Sequence, residues 1–224
     1  AAEAVREFHM GASQPDAALI LFFCSSEYDL DIVAAEMQRL FAGVPVVGCT
    51  TAGEIGPAGY REHSISGASF ASADFAAVVG RIDALQTFEN ADGRAFVQAQ
   101  LKALGRLAPQ AGAHNSFALL LIDGMSVREE PVTRALQDTR DRVPLIGGSA
   151  ADGLNFGSTF VYCDGRFRSD SALMVLFTTT LPFRAFKIQH FVPTAQTMVA
   201  TEVDTAQRIV REINGCPPQR NMRD

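Results

Sequence analysis

Four histidines supply the imidazoles available for chemistry: His9, His63, His114 and His190. Strand alternation would place Phe186, Ile188 and His190 on one face, with Lys187, Gln189 and Phe191 on the other. An imidazole beside an apolar face suits a metal ligand, because a low-dielectric wall favours its neutral form. The same pattern suits a core histidine bonded to a carbonyl. His63 lies beside a glycine-rich loop and is the second candidate. His9 falls in the amino-terminal lead-in and His114 in a linker, where solvation is expected. Asp123, Ser126 and His190 include the residue types of a hydrolase. However, Ser126-Val127-Arg128-Glu129 already reads as a helix capping box, and Asp123 at a strand end reads as a binding or capping residue. Gly124-Met125-Ser126-Val127-Arg128 also lacks the second glycine of a nucleophile elbow. No Walker A motif occurs, and no G-x-G-x-x-G follows a strand. The residue types therefore favour binding over catalysis.

The cysteines Cys24, Cys49, Cys163 and Cys216 are widely spaced and form no C-x-x-C pair, so neither a zinc nor a thioredoxin-type site is signalled. Free thiols are expected. Cys24 and Cys49 fall near strand ends and read as small buried hydrophobes.

The strongest signal is a repeat. Val44-Pro45-Val46-Val47-Gly48-Cys49-Thr50-Thr51-Ala52-Gly53 is echoed, 99 positions on, by Val143-Pro144-Leu145-Ile146-Gly147-Gly148-Ser149-Ala150-Ala151-Asp152. At the same offset, Ala18 to Phe23 falls on Phe117 to Ile122. A unit recurring at fixed spacing sets the architecture. It predicts an α/β fold of duplicated β-α-β units, about 16–82 and 115–191, with additional antiparallel strands in mixed sheets covered by helices. In such sheets ligands bind beyond the carboxyl ends of the strands. Small residues at a strand exit let backbone N–H groups approach a ligand. Gly48, Cys49, Thr50, Gly147, Gly148 and Ser149 are therefore the candidate ligand-binding residues, and the two loops are expected to border one cavity. A tight strand exit that needs glycine for steric reasons is the alternative.

The elements that must position these residues follow from pattern. Residues 18–24 are a continuous apolar run, as for a strand covered on both faces. Leu30, Val33, Ala34, Met37, Leu40 and Phe41 make a helical stripe over 29–41, capped from Ser26 or Asp29 and stopped by Gly43 and Pro45. Val44 to Val47 is read as a strand and 48–59 as its exit loop, with Glu54 a solvated acid. Runs 64–71 and 75–82 read as an antiparallel pair across Ser72-Ala73-Asp74. A helix over 92–108, a linker over 109–115, strand 117–122, a helix from 126 to about 142 and strand 143–146 follow. Cys163-Asp164-Gly165 signals a hairpin. Residues 172–178 and 184–191 read as strands and 205–213 as a last helix.

The net charge of −6 argues against a nucleic-acid surface, and no apolar run is long enough to span a bilayer. With 47% hydrophobic residues the chain can bury a sizeable core. It lacks the apolar segment of a signal peptide, so a cytoplasmic location without membrane insertion is expected. It also lacks an initiator methionine, as expected of a trimmed chain.

Leu19-Ile20-Leu21-Phe22-Phe23-Cys24-Ser25-Ser26-Glu27-Tyr28, Gly48-Cys49-Thr50-Thr51-Ala52-Gly53-Glu54-Ile55 and Gly147-Gly148-Ser149-Ala150-Ala151-Asp152 together resemble a FIST domain. Gln189-His190-Phe191-Val192-Pro193-Thr194 and Ile213-Asn214-Gly215 extend the likeness to about residues 17–215. The resemblance implies a sensory module for small ligands. It implies partners such as a histidine kinase, a cyclic-di-GMP enzyme or a chemotaxis receptor. It also implies a FIST amino-terminal domain over 1–215, with 216–224 opening a linker or a C-terminal FIST domain. One branch of that family binds haem and senses nitric oxide. By that resemblance His190 would be the haem ligand. A sensor of an organic small molecule such as an amino acid, or a docking module without haem, is the alternative.

Overall fold

The computed structural model describes residues 1–218 except 139–142, 154, 187–190, 206 and 208. The order is α1 (Ala2–Ala12), β1 (Ala17–Ser25), α2 (Leu30–Leu40), β2 (Val46–Thr51), β3 (Glu54–Gly56), β4 (Gly59–Arg61), β5 (Ile65–Ala71) and β6 (Phe75–Asp83). It continues with α3 (Asn90–Leu107), β7 (Ser116–Ile122), α4 (Glu129–Gln137), β8 (Leu145–Ser149), β9 (Val161–Cys163), β10 (Arg166–Arg168), β11 (Ser171–Thr179), β12 (Ala200–Asp204) and β13 (Ile209–Ile213). Two compact units divide the chain at residues 185 and 186.

The first unit holds two mixed sheets, ordered β10-β9-β2-β1-β5 and β6-β11-β7-β8. Alternation sends the two faces of each strand to different neighbours. Ile20, Phe22 and Cys24 of β1 pack under Val5 of α1 and Val33 and Met37 of α2. Ala118, Leu120 and Ile122 of β7 pack under Val97 of α3 and Val132 and Leu136 of α4. Leu19, Val47 and Cys49 of the first sheet meet Leu121, Leu173, Val175 and Phe177 of the second. The layers therefore run helices, sheet, sheet, helices. This explains the unbroken apolar run of β1: both of its faces are covered.

The β-α-β unit occurs twice, with one correction to the alignment. β1 and β2 are parallel, as are β7 and β8, each pair joined by a helix. Phe22 lies opposite Gly48 and Leu120 opposite Gly147. Gly48 and Gly147 are thus equivalent and 99 positions apart, whereas Phe22 and Leu120 are 98 apart. The second crossover is one residue longer, so the ungapped alignment of β1 with β7 places each residue on the wrong face.

Several expected boundaries shift. Residues 48–51 and 147–149 continue their strands and are not exit loops. β5 and β6 do not pair: β5 lies against β1 and β6 against β11, in different sheets. The Ser72–Asp74 turn carries the chain across, and Phe70 and Phe75 meet in the layer between the sheets at 5.1 Å. In exchange, β9 from the second half pairs with β2. The Asp164-Gly165 hairpin forms as read. Asp29 caps α2 through the Ile32 N–H. α3 begins before Asp92, whose carboxylate accepts the Glu89 N–H in a capping box.

In the second unit, β12 and β13 form an antiparallel hairpin with Val203 opposite Val210. The helix read over 205–213 is instead a turn and a strand. The Asp204 carboxylate accepts the Gln207 N–H and turns the chain, and Ile209-Val210 are β-branched residues suited to a strand. Residues 181–186 form no strand, and the remainder of the expected strand, His190 included, lies outside the described residues apart from Phe191.

Candidate functional site

The carboxyl ends of both parallel pairs converge. Ala150 donates its N–H to the Ile122 carbonyl and Ala151 donates to the Thr50 carbonyl, so the loop leaving β8 passes across the ends of β7 and β2. Beside this junction opens a cleft of about 500 Å³. Its floor is the strand ends, Ser25 and Thr51. One wall is Tyr60, Glu62 and His63 from the segment after β3, and the opposite wall is Asp152, Gly153 and Asn155 from the loop after β8. Glu27 closes the rim. The loops of the two repeats therefore border one cavity, at the position where open α/β sheets bind ligands.

Local chemistry fixes each wall. Asp152 accepts the N–H groups of Phe156, Gly157 and Ser158, which closes its loop on itself. Those donors, that of Gly157 foremost, hold its carboxyl below the usual range. His63 sits in the left-handed region at φ 51, a conformation that histidine tolerates better than most residues. Its Nδ1 meets Glu27 at 3.1 Å, its ring packs on Tyr28 with centroids 4.3 Å apart, and its carbonyl accepts the Tyr28 hydroxyl. Burial, reinforced by the negative charge of Glu54, raises the Tyr28 phenol above its ordinary value. The Tyr60 ring lies over Gly53, where a Cβ would stand 2.3 Å from its hydroxyl. Two exposed carboxylates, Glu27 and Glu62, thus line the cleft with the one imidazole of His63, while the Asp152 carboxylate is taken up by its own loop. The cleft is acidic, and its lining mixes hydroxyl, carboxylate and amide groups with the Tyr60 ring and Ala52.

The residues singled out by sequence do not line this cleft. Gly48, Cys49 and Thr50 are buried in β2. A Cβ on Gly48 would stand 2.4 Å from the Phe22 carbonyl oxygen, so glycine is there for close packing. Cys49 belongs to the layer between the sheets and Cys24 to the helix side, so the two thiols point apart. Thr50 accepts the Phe160 N–H on its hydroxyl, tying β2 to the strand beside it. Gly147, Gly148 and Ser149 lie on β8 at the outer edge of the second sheet, and the Ser149 hydroxyl meets Glu129 at 3.3 Å. The chain just beyond each set, Thr51-Ala52 and Asp152-Gly153, is what lines the cleft.

Sequence reasoning missed Glu54. Expected in solvent, it is 2% exposed and accepts hydrogen bonds from Thr51 and Ser64. The spacing of Thr51-Ala52-Gly53-Glu54, that of a capping box, was the available signal. Asp123 is buried, accepts the Met125 N–H and the Thr159 hydroxyl, and acts as a cap. The Ser126 hydroxyl donates to the Asp123 carbonyl at 2.6 Å rather than to an imidazole. Arg128, at the start of α4, donates to the Leu85 and Phe88 carbonyls.

Among the described residues, no group of three or more His, Cys, Asp and Glu side chains is placed to hold a metal ion. The cleft does not fit a haem. His63 is engaged by Glu27 and Tyr28, and porphyrin propionates would meet carboxylates. His9 packs on Phe41 with centroids 4.9 Å apart. No helix among the described residues is long and apolar enough to cross a membrane.

No curated protein matches the chain. A model of the FIST N domain matches residues 18–216, a span that includes both parallel strand pairs and every residue of the cleft. The chain therefore belongs to the FIST family of sensory domains in signal transduction.

Proposed function

We propose that this domain senses a small polar molecule carrying a positive charge, such as an amino acid with a basic side chain, bound in the cleft at the strand ends. The observation that carries this reading is the composition of the cleft, where the Glu27 and Glu62 carboxylates stand with one imidazole and Asp152 adds a third negative charge to the wall. Carboxylates lining a cleft favour an ammonium or guanidinium group and disfavour an anion. Asn155 and the Ser25 and Thr51 hydroxyls add neutral partners for a ligand's amide or carboxylate. A cavity of about 500 Å³ matches a ligand of that size. Output follows if the ligand binds one arrangement of the cleft wall better than another. A histidine kinase, a cyclic-di-GMP enzyme or a chemotaxis receptor would read that difference.

The test is calorimetric titration with L-lysine, L-arginine and putrescine against the anion succinate and the neutral amino acid L-leucine. Binding of a cation that succinate does not share supports the reading. Preference for succinate overturns it. A Soret band after haem reconstitution, lost in His190→Ala, would instead place the protein in the haem-binding branch of the family.

A further inference from the structure

Glu54 is buried, and among the described residues no cation pairs with it. Taking a carboxylate out of water is costly unless hydrogen bonds meet its oxygens. Here they do. The Thr51 hydroxyl donates to Oε1 at 2.6 Å; the Ser64 N–H and hydroxyl donate to Oε2 at 3.1 and 2.6 Å. Thr51 ends β2. Ser64 precedes β5, and its carbonyl accepts the Ser25 N–H at the end of β1. One carboxylate thus joins the two ends of an excursion, 51–64, at its base.

That excursion carries the cleft wall. It contains the β3–β4 hairpin, which pairs only with itself and carries Tyr60, and then Glu62 and His63. Beyond the base it is tied at two places. The Ser66 hydroxyl reaches the Ile55 carbonyl, and His63 is held by Glu27 and by the ring and hydroxyl of Tyr28. The opposite side of the same excursion, with Gly56, Pro57 and Arg61, lines a separate groove against Glu7, Phe8 and Gly11 of α1. A hydrophobic plug would close the base with less desolvation cost. A carboxylate does what a plug cannot: it accepts from both ends in fixed geometry.

We propose that Glu54 is a positioning residue for the cleft. Its carboxylate holds the base of segment 51–64, so that Tyr60, Glu62 and His63 stand as one wall, and opening of the base swings that wall as a unit. The identity of the ligand rests on the cationic reading above; the mechanics of the wall do not.

The test uses the full chain and three variants: Glu54→Leu, which keeps the volume, Glu54→Gln, which keeps an acceptor, and Ser64→Ala. Amide exchange of residues 55–63 is compared with that of β1, and L-lysine affinity is measured alongside. Losing a buried hydrogen-bond set is expected to speed exchange of 55–63 by about tenfold or more while β1 is unchanged, and to weaken L-lysine by about tenfold. Partial recovery in Glu54→Gln supports the role of the acceptor. Wild-type exchange over 55–63 in Glu54→Leu overturns the proposal. If Glu54→Leu does not fold, Ser64→Ala and Glu54→Gln decide it by the same exchange measurement. If wild type fails to bind L-lysine, the ligand reading falls and the exchange comparison still decides the role of Glu54.

Discussion

Ala151 donates its backbone N–H to the Thr50 carbonyl at 2.9 Å. This bond joins the loop of one repeat to the strand of the other. Phe160 completes the tie, donating its N–H to the Thr50 hydroxyl and accepting the Thr50 N–H on its carbonyl. The two strand exits are therefore held in one frame, and the cleft between them is shaped by both. A change in the loop after β8 alters the position of Asp152 and the end of β2 together.

The glycines of the repeat divide into packing positions and a free one. A Cβ at Gly48 or Gly147 would stand 2.4 or 2.0 Å from the carbonyl oxygen of Phe22 or Leu120. Gly148 has nothing within 4 Å. Gly48→Ala and Gly147→Ala are expected to destabilise by about 1–3 kcal/mol through overpacking, and Gly148→Ala to change stability little. Urea unfolding of the three variants checks the contrast.

This contrast marks how far the sequence could be read. The run from Ala18 to Cys24, the Val-Pro steps and the helical stripe from Leu30 to Phe41 reflect burial, and burial is what side chains encode locally. The alignment of β1 with β7 was one residue out because both strands are apolar on both faces, so any offset matches. Only the partner of each face, α2 for Phe22 and the second sheet for Leu21, resolves it. The crossing of β6 into the second sheet was hidden for a similar reason: a strand's residues specify coverage, not a neighbour. The cleft itself was legible as a place, the strand exits, but not as residues. Gly48 and Gly147 signal close packing, while Glu54 owes its burial to Ser64, ten residues on.

Asp152 gives an acid-labile loop. Its carboxyl is held low by the N–H groups of Gly157, Ser158 and Phe156. A depressed folded-state value contributes stability above the unfolded value near ~3.9, and that contribution is lost as pH falls through the folded value. Asp152→Asn should melt earlier than wild type at pH 7. The gap should close as both are taken progressively below about pH 4. A gap independent of pH over thermal melts from pH 7 to 2.5 would contradict the assignment.

Thiol reactivity should divide the cysteines. Burial pushes Cys49 up to about 12 and Cys24 higher still, the latter with help from Cys49 and Glu54. Burial also raises Cys163, with Arg81 drawing it back. Because the thiolate is the nucleophile, these three are expected to stay unreactive in the folded protein at pH 8. Half-buried Cys216 should react first. Mass spectrometry after brief alkylation should find the label on Cys216, and on all four cysteines in denaturant.

The charge of the cleft supplies the most direct prediction on function. Glu62 stands beside Tyr60, whose hydroxyl lies 3.5 Å from its carboxylate, and Glu27 is shared with His63. If a cationic ligand binds here, Glu62→Gln removes an attractive charge without removing volume. It should weaken L-lysine by about two- to fivefold, the range of an exposed ion pair. Glu27→Gln should do less, because part of its interaction is already with the imidazole. The double variant should lose more than either, since both carboxylates face the same space, and the losses need not add. Raising salt should weaken wild type more than the double variant, as screening acts only on charges that remain. Glu130→Gln, at an exposed position of α4 outside the cleft lining, is the control and should bind as wild type does. Equal affinity of wild type and the three cleft variants for L-lysine, with equal salt dependence, would remove the carboxylates from recognition and leave the cleft to a neutral ligand.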